Sequence, residues 1–165
     1  MEAAAWGLIG TLVGAAASII TTYLTNQNAA QLQADARETE RVERAKAFQR
    51  ETLLELQDAF HDAIRVIAVA HLADVRSSRD GGIWGKNMLP EPLAEDVRLA
   101  NRKVMLFVER VADDSVRATV KSVMAEANNI GFCSSRKEAQ ALLDQVTFQG
   151  VDALGEIGET LRALY

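Results

Sequence analysis

Two prolines, one cysteine and two histidines are all that this 165-residue chain holds of three residue types on which much architecture and chemistry depend. A single cysteine, Cys133, excludes an intramolecular disulfide and fits a reducing compartment. With so few Cys and His, no zinc-type ligand spacing exists. Both prolines fall in Pro90-Glu91-Pro92, so long stretches contain nothing that breaks a helix. Aromatics make up 5% of the chain and never interleave with a basic cluster, which argues against nucleic acid as a partner. A phosphate-binding glycine loop, a nucleophile elbow and a dinucleotide fingerprint are all missing. With few β-branched alternations, the class expected is all-α.

What is present begins at the N-terminus. Ala3–Leu24 is a run of 22 residues without charge or proline. As a helix rising about 1.5 Å per residue it reaches roughly 33 Å, enough for the hydrocarbon core of a bilayer. A signal peptide would carry a basic lead, whereas only Met1 and Glu2 precede the run. A buried core helix would show a polar face stronger than Thr, Ser and Tyr. The pattern therefore predicts a single transmembrane helix over residues 1–25, with Trp6 and Tyr23 near the two interfaces. No basic residue precedes it, and Arg37, Arg41, Arg44, Lys46 and Arg50 follow. The positive-inside rule then places the N-terminus outside and the C-terminal domain in the cytoplasm of a bacterial cell. Gly7, Gly10, Gly14, Ser18 and Thr22 give the run small-residue strips suited to self-association, hence a homo-oligomer.

Residues 26–50 hold five basic and four acidic side chains. Glu40–Arg44 and Glu38–Arg41 stand at favourable helical spacing, which predicts a charged helical stalk. Arg37, Arg41 and Arg44 are candidates for contact with anionic headgroups. Residues 51–165, with thirteen basic and eighteen acidic groups, carry the helical pattern of an antiparallel bundle of about four helices.

One stripe runs through Val42, Ala45, Leu53, Leu56, Phe60, Ala63, Ile67 and Ala70. A loop is expected over 77–91, where Gly81-Gly82 and the prolines punctuate the pattern. Its Trp84, Met88 and Leu89 either plug the bundle end or form a partner-binding tip. The second helix is expected from Pro92, with Val97, Ala100, Val104, Phe107, Val108 and Val111 inward. Asp113 caps a third helix through Val116, Val120, Val123, Met124 and Ala127. Ser135 and Glu138 form a capping box for a fourth, through Ala139, Leu142, Leu143, Val146, Val151, Leu154, Ile157, Leu161 and Leu164. Gly150, Gly155 and Gly158 weaken that helix, and they suggest close packing or a bend near Gly150.

Candidate chemistry is thin. Asp58 and His61 share a helix face, but the ligand set of a di-metal bundle is missing. His71 has Asp74 three residues on. Cys133 lies just before a helix N-terminus, a position that lowers a thiol pKa, yet no histidine stands near it in sequence. No catalytic, cofactor or metal residues and no small-molecule substrate are indicated, and an enzyme is the least supported class.

The segments GTLVGAAASIITTYL and LANRKVMLFVERVADDSVRATVKSVMAEA resemble a loose group of small actinobacterial and phage single-pass membrane proteins with a helical cytoplasmic domain. They share the joint that here reads Val111-Ala112-Asp113-Asp114-Ser115-Val116-Arg117. That resemblance implies architecture and no particular activity. The expected function is a membrane-anchored, non-enzymatic interaction or scaffold protein with a protein partner. The alternative is a phage- or prophage-encoded membrane effector, acting in lysis or exclusion, that oligomerises in the bilayer.

Overall fold

In the computed structural model every regular element among the described residues is helical. The structure describes the backbone of residues 2–86 and 88–165, and the side chains of 14, 15, 17–86 and 88–165. Helix α1 spans Glu2–Arg79, α2 Glu91–Val108, α3 Asp114–Asn129 and α4 Arg136–Ala163, with a 3-10 turn at Ile130–Phe132 between α3 and α4. The chain divides into two compact units, Met1–Ala45 and Lys46–Tyr165.

Chain ends of the helices follow from local chemistry. Ser77, Ser78 and Arg79 remain helical, so the loop after α1 begins three residues later than its composition predicts. The terminator is Gly81, whose φ of +94° is cheap only for glycine, and Gly82 N donates to Ser77 O at 3.0 Å, closing a Schellman motif. Pro90 precedes α2, and its carbonyl accepts from Leu93 N and Ala94 N at 2.9 and 3.0 Å. Asp113 caps α3 as expected, its Oδ1 accepting from Ser115 N at 2.8 Å and Val116 N at 3.1 Å. At α4, Ser135 Oγ accepts from Glu138 N at 3.2 Å. Glu138 reaches back to Ser134 rather than to Ser135, accepting from its N at 2.9 Å and its Oγ at 2.7 Å. These bonds hold the Glu138 carboxyl below the usual carboxylate range, the Ser134 hydroxyl contributing most.

Within the second unit, cross-helix pairs settle the topology. On α1 and α4, Arg50 Nη1 donates to Leu164 O at 2.8 Å, and His71 Nε2 lies 3.2 Å from Gln140 Oε1. Numbers rise on one helix as they fall on the other, so the two are antiparallel. The same holds for Asp58–Lys103 and Gln49–Arg110 between α1 and α2. Asn101–Asn128 and Glu109–Lys121 order α2 against α3, while Glu126–Gln145 and Ser115–Glu156 order α3 against α4. The result is an up-down-up-down four-helix bundle.

Its core combines Leu53, Leu56 and Phe60 of α1 with Val104 and Val108 of α2, Val116 and Val120 of α3, and Val146 and Ile157 of α4. All five predicted inward positions of α3 are buried. Val42 and Ala45 are exposed, contrary to their place in the predicted stripe. They precede Gln49 and Arg50, the level at which the α2–α3 turn and the end of α4 meet α1. Val151 is 65% exposed because the α4 stripe runs through Gly150 and Ala153 instead.

Helix α4 is unbroken through Gly150. A Cβ there would lie 4.0 Å from Phe60 Cε1, and one at Gly155 would meet nothing within 4 Å, so neither glycine is required for close helix packing. Gly155→Ala should therefore raise the unfolding free energy by up to about 1 kcal/mol through helix propensity. Chemical denaturation followed by circular dichroism checks this; a loss of stability would mean that the site is tighter than its open surroundings indicate.

Candidate functional site

Among the residues of the N-terminal strip, Gly7 and Gly10 lie outside the described side chains. Gly14 has open space where a Cβ would sit. Ser18 and Thr22 are exposed, and Thr22 Oγ1 donates to Ser18 O at 2.8 Å, as Thr21 Oγ1 does to Ala17 O at 2.9 Å. Ile19, Ile20, Tyr23 and Leu24 are all more than half exposed. Among the described residues no helix is long and apolar enough to cross a membrane. The side chains of residues 3–13, the first half of the apolar run, lie outside the described ones. Arg37 is exposed, while Arg41 pairs with Glu38 at 3.8 Å and Arg44 with Glu40, the two spacings that the sequence favours.

The loop after α1 separates its three apolar residues. Trp84 packs against the core, and its Nε1 donates to Cys133 O at 3.0 Å. The turn that delivers it closes with Lys86 N donating to Ile83 O at 3.1 Å, and Gly85 supplies the φ of +70° that the turn needs. The Trp84 ring meets His71 edge-on, with centroids 5.9 Å apart. Trp84 is thus a plug. Met88 is 94% exposed, and Leu89 is half-buried at the edge of a cleft.

That cleft, of about 500 Å³, opens at the bundle end opposite Gln49 and Arg50. Its floor is Ile67 and Ala70 of α1, Val97 of α2, Ala127 of α3 and Ile130 of the 3-10 turn. Leu89 and Phe132 stand at the rim, Phe132 85% exposed. His71, Asp74, Asn101 and Asn128 provide the polar lining. His71 is 4% exposed. Asn101 Nδ2 donates to Asn128 Oδ1 at 2.8 Å, whereas Asn101 Oδ1 is buried without a partner. Sequence reading by motif did not single out Asn101 and Asn128. The available signal was periodicity: Val97, Asn101, Val104 and Val108 form one heptad stripe on α2, with an amide where its neighbours are valine.

The other candidates for chemistry are placed apart. His61 is exposed in a shallow groove beside Asp58, whose carboxylate lies 3.8 Å from Lys103 Nζ. Among the described residues no group of three or more His, Cys, Asp or Glu side chains could hold a metal ion. Cys133 does not have the lowered pKa that its position before α4 suggests. Burial pushes the thiol up, and the Glu138 carboxylate adds to the effect. Its Sγ lies 3.6 Å from Asn129 O. No protein-family model, curated protein or solved structure matches the chain.

Two outcomes follow from this geometry. Trp84→Ala should cost roughly 2 kcal/mol of stability through lost packing and one hydrogen bond, with Trp84→Phe intermediate, read by thermal unfolding. An unchanged melting temperature would remove the plug assignment. Alkylation of Cys133 by iodoacetamide in the folded chain should run about tenfold or more slower than in urea, since the thiolate is the reacting form and is disfavoured here.

Proposed function

We propose that the chain is a membrane-anchored, non-enzymatic helical interaction protein. The N-terminal run would be its anchor in a bacterial cytoplasmic membrane, and the bundle would meet a protein partner in the cytoplasm. The observation that carries this reading is the neighbourhood of Ile19, Ile20, Tyr23 and Leu24, large apolar side chains exposed together at the end of a 22-residue uncharged run. Water solvates such a surface poorly, and a bilayer covers it without further protein. The hydroxyls of Thr21 and Thr22 suit the same setting, because each already donates to a carbonyl of its own helix and leaves no donor to be stranded in lipid.

At about 100° per residue, Gly14, Ser18 and Thr22 fall on the side of the helix away from the large apolar group. Lipid would face one side and a second copy the other, which favours self-association through the span. The bundle contributes exposed Met88 and Phe132 as apolar contacts for a partner.

Membrane fractionation of cells expressing the tagged chain tests the anchor. The full chain should stay in the pellet after alkaline carbonate extraction, and a chain lacking residues 1–25 should be released. Release of both would end the anchored reading. Crosslinking and mass spectrometry of the solubilised chain then separate an adaptor, which brings a reproducible partner, from a membrane effector, which crosslinks only to itself and collapses the membrane potential on expression.

A further inference from the structure

The two ends of the bundle are built differently. Toward Gln49 and Arg50 the buried residues are mostly apolar, Leu53, Leu56 and Phe60 with Val104, Val108 and Val111, and Thr52 is buried among this part of α1. Toward the loop, the α1 stripe Phe60, Ala63, Ile67, His71, Val75 carries an imidazole, and the α2 stripe Val97, Asn101, Val104, Val108 carries an amide. Ala70, Ala127 and Gly131 line the space between them with too little side chain to fill it, and about 500 Å³ stays open. That volume lies in the range of small-molecule sites, and the lining is mainly apolar. Empty volume, a polar residue on each of two stripes and the unpartnered Asn101 Oδ1 coincide here, while a second unpartnered buried oxygen, Gln149 Oε1, lies on α4 outside the cleft. Departures from packing rules gathered at one spot are characteristic of a binding site.

We propose that this cleft binds a small amphiphile, neutral or cationic, with an apolar body and at least one N–H or O–H donor. The apolar body fits Ile67, Val97 and Ile130, with Leu89 and the exposed Phe132 ring folding over it at the rim. The donor meets the amide pair. Asn128 Oδ1 keeps a second lone pair beside the bond it accepts from Asn101 Nδ2, and Asn101 Oδ1, in the same lining, has no partner. Charge selects against anions, because among the described residues Asp74 is the one carboxylate in the lining and neither Lys nor Arg lines it. A carboxylate or phosphate entering the cleft would lose its hydration and gain no cation. This assignment rests on the bundle alone, so it and the membrane anchor can each fail without the other.

Three probes that share one ring and differ in charge make the test: 2-phenylethanol, 2-phenylethylamine and phenylacetate. Each is titrated into the full-length chain, labelled at isoleucine and valine methyls, in a mild detergent. The alcohol and the amine should shift the methyls of Ile67, Val97 and Ile130 saturably, with a Kd on the order of 1 mM, the range open to ligands of about nine heavy atoms. Phenylacetate should bind about tenfold weaker or not at all. Ala70→Leu fills the floor and should abolish the shifts without lowering the melting temperature. Asn101→Val, which keeps the helix and removes the amide, should weaken the alcohol and the amine by about tenfold and serves where the leucine variant does not fold. No saturable shift with any probe, phenylacetate binding as well as the amine, or undiminished binding by whichever variant folds would each overturn the proposal.

Discussion

Phe60 has no exposed surface, and Gly150 on α4 faces it, with 4.0 Å between the ring edge and the place a Cβ would take. The ring lies at ordinary contact distance from α4, in one core cluster with Val104, Val120, Val146 and Ile157. Burying such a ring contributes about 3 kcal/mol. Once 60 stands opposite 150, Arg50 arrives at the last turn of α4, where it donates to Leu164 O and its guanidinium lies 5.1 Å from the centre of the Tyr165 ring.

The two ends are closed by different means. At the end where α1 enters the bundle, Gln49 bonds twice to the α2–α3 turn, donating to Arg110 O at 3.0 Å and accepting from Ala112 N at 2.8 Å. Arg117 pairs with Asp114 and donates to the carbonyls of Val111 and Ala112, so the joint satisfies its own backbone groups. The other end is closed by Trp84, held by the Cys133 carbonyl, with the His71–Gln140 and Asn101–Asn128 pairs bordering the cleft beside it. Side-chain bonds to the α2–α3 turn gather at the first end, and the open cleft lies at the second.

Much of this was legible in the residues. The α3 stripe, the Asp113 cap and the pairing of Glu40 with Arg44 depend on neighbours within a turn or two, and local spacing specifies them. Val151 shows the limit. It keeps helical spacing with the apolar residues around it, yet the buried arc of α4 runs through Ala139, Val146, Gly150, Ala153 and Ile157. Cys133 shows another: a helix N-terminus favours a thiolate, but burial and the Glu138 carboxylate outweigh it. Neither burial nor the distance to a carboxylate appears in the order of residues.

The sequence by itself determined the helical class, the sites of the helix caps, the uncharged N-terminal run and most inward-facing positions, because each arises from chemistry between residues a few places apart. Tertiary structure alone decided that Trp84 is a plug and that Leu89 borders a cleft. It also decided that His71, Asn101 and Asn128, from three different helices, share one space. These depend on how four helices are staggered, and stagger is set by long-range packing, to which local spacing is blind.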